Sequence, residues 1–190
     1  MIDKEKIEYH IREILKALGD DPDREGLRDT PRRVAEMCGE VFAGMNYTND
    51  EIARMFDKTF DQETGAEDLV VVRDIPVFSY CEHHMALMYD MTVSIAYFPK
   101  GKVIGLSKLA RIADMAARRL QLQERLGRDI AGIVSAVTGS QDVAVVISGS
   151  HSCMTARGIG KPGTKTVTET YLGRFREDPG LQTRMEALLK

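Results

Sequence analysis

Between Asp3 and Leu18 the apolar residues Ile7, Ile11, Ile14, Leu15 and Leu18 recur three or four positions apart, which gathers them on one face of an α-helix. Gly19 follows as a suitable terminator. Thr30-Pro31 supplies a cap and a first-turn proline, and Val34, Cys38, Val41, Phe42 and Met45 then form a second stripe that places Cys38 in a core. A third short helix is expected from Thr48 or Asn49, turning Ile52, Met55 and Phe56 inward.

The pattern changes at Asp68. Leu69-Val70-Val71-Val72 and Ile75-Pro76-Val77-Phe78 favour extended backbone running into Cys81. Met91, Val93, Ile95 and Tyr97 alternate with Thr92, Ser94 and Ala96, the period of a strand, and predict the antiparallel partner. A short strand at Val103-Ile104 precedes a helix from Ser107 carrying Leu109, Ile112, Ala113, Ala116 and Leu120, and a second helix over Gln123 to Val137. Asp142 to Ser148 returns to strand. Thr164 to Phe175, rich in β-branched and aromatic residues, is expected to close the sheet before a terminal helix over Leu181 to Leu189. The pattern predicts an α+β fold with helices packed on one face of an antiparallel sheet. Without a repeat or linker, it reads as one domain over 1–190, mainly helical across 1–60 and sheet-bearing across 68–190.

Composition narrows the function. A chain of 190 residues can bury a core of its own. Its net charge of −3 gives no overall attraction to nucleic acid or anionic membranes, so any anion site must be local. The first residues lack the apolar run of a signal peptide and no segment is apolar for long enough to span a bilayer, so the expected location is the cytoplasm. Three cysteines, Cys38, Cys81 and Cys153, are too few for a secreted disulfide framework and point instead to reduced thiols or metal ligands.

Two of the thiols have histidines beside them. His83 and His84 follow Cys81, and His151 lies two residues before Cys153. A Cys-x-x-His turn such as Cys81 to His84 can bring sulfur and imidazole to one zinc ion. Spacing leaves two arrangements open: a structural site closed by Cys81, one neighbouring histidine, His151 and Cys153, or a catalytic site with three protein ligands and one open position. Elsewhere, Val103 to Arg111 reads as strand, glycine turn and helix start, which brings Ser107 and Lys108 to a helix N-terminus with Arg111 one turn on, a place where phosphate binds readily. Arg157, just after Cys153, could add a guanidinium near the metal. Glu124 could accept two hydrogen bonds from a guanine edge, with Gln123 adding another, although a glutamate at a helix start is favourable through the dipole alone.

Taken together, Cys81-Glu82-His83-His84-Met85, Val103 to Arg111, Gln121 to Leu126 and His151 to Gly158 resemble the GTP cyclohydrolase I family, and the likeness extends to Asp23 to Leu27 and Thr30 to Val34. The resemblance implies the tunnelling fold and a toroidal homodecamer with active sites at subunit interfaces. It also implies hydrolysis and ring rearrangement of GTP to formate and 7,8-dihydroneopterin triphosphate, the first step of pterin and folate biosynthesis. On that reading zinc sits on Cys81, His84 and Cys153, with water in the fourth position. His83 and His151 then carry protons, His151 as the acid at guanine N7. Ser107, Lys108, Arg111 and Arg157 hold the triphosphate, Gln123 and Glu124 the guanine, and Arg33 matches a residue that reaches across an interface. Glu36 and Glu169 depart from the family pattern, standing where some relatives carry lysine and a Ser/Thr-like residue. Two other readings share parts of the pattern: another tunnelling-fold enzyme acting on a pterin or purine, and a non-catalytic protein with structural zinc.

Overall fold

The computed structural model describes residues 1–65 and 67–189. Contacts divide the chain into two compact units, Met1–Asn46 and Tyr47–Lys190.

The first unit is a helix pair. Helix α1 (Lys4–Ala17) begins where the Asp3 carboxylate accepts the Lys6 N–H at 3.0 Å, and Gly19, at φ +85°, follows its end. Helix α2 (Thr30–Val41) has Pro31 in its first turn, where a missing N–H costs nothing, and buries Pro31, Ala35 and Cys38. The two helices pack together, and a 3₁₀ turn over Ala43–Asn46 ends the unit, with Asn46 Oδ1 accepting the Ile2 N–H at 3.1 Å. Cys38 is a core thiol, as its place on the stripe predicts; burial pushes its pKa up. No residue of α1 is fully buried within the chain.

The second unit opens with α3 (Asn49–Met55), started by a reciprocal capping box between Thr48 and Glu51. Strand β1 (Thr59–Asp61) was not evident in the sequence pattern; it pairs antiparallel with β4 (Lys102–Ile104) in a separate ribbon. The main sheet is built on β2 (Val70–Cys81), β3 (Ala86–Tyr97), β6 (Val143–His151) and β7 (Thr166–Tyr171), all antiparallel, with the two-residue β5 (Leu120–Gln121) lying parallel to the end of β2. The order across the sheet is β5-β2-β3-β6-β7. Helices α4 (Leu106–Ala117) and α5 (Gln123–Thr138) set Leu109, Ile112, Leu126, Ile130 and Ile133 against Val77, Val93, Ile95, Val145 and Ile147 in one buried cluster. Burying each such side chain contributes about 1.5–3 kcal/mol, so this layer is what fixes the register of the central strands.

The fold is α+β, as the pattern predicts, but helices lie against both faces of the sheet rather than one, β5 makes the sheet mixed, and the closing strand ends earlier than expected. The closing strand stops at Tyr171 rather than Phe175, because Gly173 adopts φ +54° and turns the chain into α7 (Arg174–Glu177). Phe175 is therefore a helical residue; with Leu181 and Met185 of α8 (Pro179–Leu189) it packs on Ala96 and Ala144, which alternate with the residues of the first cluster and so lie on the sheet's other face. A further short helix, α6 (Ser152–Thr155), directly follows β6.

Candidate active site

Strands β2 and β6 both run antiparallel to β3, so their C-terminal ends emerge at the same end of the sheet, flanking the start of β3. Cys81, the last residue of β2, pairs with Ala86; His151, the last of β6, pairs with Met88. The tight α6 turn then places Cys153 beside them. Topology thus joins residues some seventy positions apart in sequence: one ligand atom from each of Cys81, His151 and Cys153 lies within 4.8 Å of the others.

All three cysteines are free thiols. Burial holds the Cys153 thiol above its ordinary range, and the neighbouring Cys81 sulfur adds to the rise. A bound dication acts in the opposite sense, favouring thiolate. Zinc bonds of about 2.3 Å to sulfur and about 2.0–2.1 Å to nitrogen put the ligand atoms of one tetrahedron roughly 3.5–3.8 Å apart, so this group needs to contract by no more than about an ångström. The donor set, two thiols and an imidazole, suits that ion.

The Cys81–His84 turn is tied down through its backbone. The His84 N–H reaches the Cys81 carbonyl at 3.4 Å, and the Glu82 N–H donates to the Gln121 carbonyl at 3.1 Å. The Glu82 carboxylate is ion-paired with Arg125, which also donates to the Leu120 carbonyl at 2.9 Å and to Gln121 Oε1 at 2.9 Å. Gln121 in turn donates to Asp129 at 2.9 Å, and Asp129 pairs with Arg119 at 3.4 Å. The pattern of apolar residues carries no sign of this polar chain, because its members are joined only by folding.

The histidine side chains are placed differently from one another. His83 Nδ1 lies 3.8 Å from Cys81 Sγ. His84 is exposed, and its Nε2 sits 2.6 Å from Arg157 Nη1 rather than among the thiols. Since a guanidinium only donates, His84 Nε2 accepts, presenting the lone pair a metal would take. His151 is partly buried, which lowers its pKa, while the nearby Glu124 carboxylate acts in the opposite direction. Its Nε2 is 2.8 Å from Gln123 Oε1.

Among the residues expected to touch substrate, Glu124 stands exposed in the first turn of α5 with no hydrogen bond among the described residues. Ser107 and Arg111 are exposed and Lys108 is half-buried; Ser107 and Lys108 occupy the first turn of α4, whose cap, Gly105, offers no side chain to its N–H groups. Arg157 is exposed and close enough to Cys153 to favour its thiolate. Gln123 is only 1% exposed, and both ends of its amide are engaged within the chain. Arg33 belongs to the first unit, on the surface of α2, paired with Asp29 at 3.2 Å; on the same helix Glu36 pairs with Arg32 at 2.8 Å.

The sequence profile of GTP cyclohydrolase I matches residues 7–190. The chain belongs to the GTP cyclohydrolase I family. Proteins named GTP cyclohydrolase 1 from Clostridium acetobutylicum and from Clostridium botulinum strain Kyoto are each 60% identical to it, covering 100% and 98% of this chain and 98% and 97% of their own lengths. The protein of that name from Clostridium beijerinckii is likewise 60% identical, over 99% of this chain and 96% of its own. Among solved structures, the apo archaeosine synthase QueF-Like aligns at 19% identity and a TM-score of 0.45, covering 58% of this chain and 97% of that one. Of the expected metal ligands, Cys81 and Cys153 come together at one end of the sheet, joined there by His151 and not by His84, and no described helix is long and apolar enough to cross a membrane.

Proposed function

We infer that this chain converts GTP to formate and 7,8-dihydroneopterin triphosphate. The observation that carries the reading is the convergence of Cys81, Cys153 and His151 within 4.8 Å, in a chain 60% identical over its full length to proteins named for that activity.

The metal is proposed to be zinc, held by Cys81, Cys153 and His84. His84 supports this through its place in the Cys-x-x-His turn and its accepting Nε2, carried on an exposed ring whose described nitrogen contact is Arg157. Bound there, zinc supplies Lewis acidity that makes water a competent nucleophile near neutral pH. The chain's own groups do the rest. Glu124, with no side-chain hydrogen bond among the described residues and a place beside His151, accepts from guanine N1–H and the 2-amino group. His151 protonates N7, making C8 electrophilic, and His83 serves the later proton transfers of ring opening and loss of formate. Ser107, Lys108, Arg111 and Arg157 receive the triphosphate, with the N–H groups of the α4 start aiding them. The same reading has the enzyme working in the cytoplasm as a toroidal homodecamer, with Arg33 reaching a neighbouring copy's site.

A second ligand set has an observation of its own: His151, not His84, is the imidazole found with the thiols. The metal content of single histidine variants separates the two sets.

The test of function is turnover of GTP, followed by pterin fluorescence and released formate, before and after chelation and again with zinc restored. Loss on chelation with the fold retained, and recovery with zinc, is the expected result. Purified protein with one zinc per chain that releases no formate from GTP would refute the reading.

A further inference from the structure

The expected role of Gln123 was to hydrogen-bond guanine, yet its side-chain amide is taken up within the chain. It is the first residue of α5, 1% exposed, with its amide reaching acceptors on both β6 and β7. Nε2 lies 3.0 Å from the Ile147 carbonyl, 3.0 Å from the Thr166 carbonyl and 3.2 Å from Thr168 Oγ1. Carbonyl oxygens only accept, so the amide can face them only with its NH₂ end. A flipped amide would set its oxygen against both. The orientation of Oε1 is therefore settled by the two strands, and it points at His151 Nε2 from 2.8 Å. The fit is close on the other side as well: a Cβ at position 149 would stand 2.7 Å from Met91 Cγ and 3.5 Å from Gln123 Oε1, and the chain has glycine there.

An amide oxygen cannot donate. A ring nitrogen 2.8 Å from it must carry the hydrogen, and in a neutral imidazole the other nitrogen is then bare. We propose that Gln123 is a positioning residue that holds His151 as its Nε2–H tautomer, so that Nδ1 is the nitrogen this ring presents to substrate or metal. The backbone of β6 and β7 orients Gln123, and Gln123 orients the ring. The kinetic part of the proposal rests on the GTP reading above; the tautomer itself does not.

Magic-angle-spinning NMR of zinc-loaded protein labelled with ¹⁵N-histidine tests the tautomer directly. At about pH 8.5 an ordinary imidazole, with a pKa of about 6.5, is neutral. His151, assigned by comparison with His151→Gln among the four histidines of the chain, should show a protonated Nε2. A ring with hydrogen on Nδ1 and a bare Nε2 would overturn the proposal. Gln123→Met, nearly the same shape without the acceptor, should lower kcat for GTP on the order of a hundredfold, as when a base loses the partner that sets its tautomer, while KM stays within about twofold. A raised KM with unchanged kcat in Gln123→Met would instead make Gln123 a guanine contact and remove the positioning role. Should Gln123→Met fail to fold, the spectrum of the unmutated protein decides. A protein that shows the expected tautomer but turns over no GTP defeats the functional reading and leaves this one standing.

Discussion

His151 and His84 each lie within three residues of one of the two thiols in sequence, yet the fold treats them in opposite ways. His151 ends a central strand, is partly buried, and has its ring held by an amide that is itself held by two strands. His84 lies in an exposed turn whose backbone is anchored through Glu82, Gln121 and Arg125, while its ring meets only Arg157 among the described contacts of its nitrogens. One side of the site is fixed to the side-chain atoms; the other is fixed only to the backbone. An orientation fixed through one ring nitrogen serves a proton carrier and equally a metal ligand, so it is the behaviour of the variants that separates the two roles.

The harshest way to break this picture is to remove a thiol common to both ligand sets. Cys153→Ser should abolish tight metal binding and lower GTP turnover by roughly a thousandfold or more, measured by elemental analysis and formate release. A variant with full metal and full activity would dissolve the site altogether. The next largest effects separate the two histidines. His84→Ala should lose its metal, whereas His151→Ala should keep it and lose on the order of 10² to 10⁴ in kcat. The reverse outcome assigns the ligand to His151 and gives the strand-held ring the role proposed for the turn.

A smaller effect sharpens the His151 side. Glu124→Ala should reduce kcat/KM for GTP by roughly a hundredfold with metal content and melting temperature unchanged, since only the partner of the guanine edge is removed. A near-normal rate with a lowered melting point would leave Glu124 as no more than a favourable residue at a helix start. The smallest effect serves as a baseline. Thr48→Ala removes half of the capping box of α3 and should cost about 1 kcal/mol of stability by denaturant titration, with kcat unaltered. A rate that fell with it would mean that plain destabilisation reaches the site, and the kinetic losses above would have to be read against that.

Much of the fold was legible in the chain because burial imposes a period. The stripes of α1, α2, α4 and α5 and the alternation along β3 mark those elements within a few residues. That logic weakens in short or diverted segments. Strand β1 has only three residues and packs in a ribbon, too short for a period to show. Phe175 continues the apolar, β-prone composition of β7, but the positive φ at Gly173 is a backbone event and diverts it into a helix.

By itself the sequence determined the kinds of chemistry available: the Cys81-x-x-His84 spacing, the histidine two residues before Cys153, and the family to which the whole chain belongs. It could do so because donor type and local spacing are properties of neighbouring residues. Only the tertiary structure decided which atoms meet. The antiparallel order β2-β3-β6 brings Cys81 to His151 and Cys153, and two carbonyls on β6 and β7 settle which way the Gln123 amide faces. Those relations depend on strand order and on hydrogen-bond partners tens of residues apart, and no local pattern of residues encodes them.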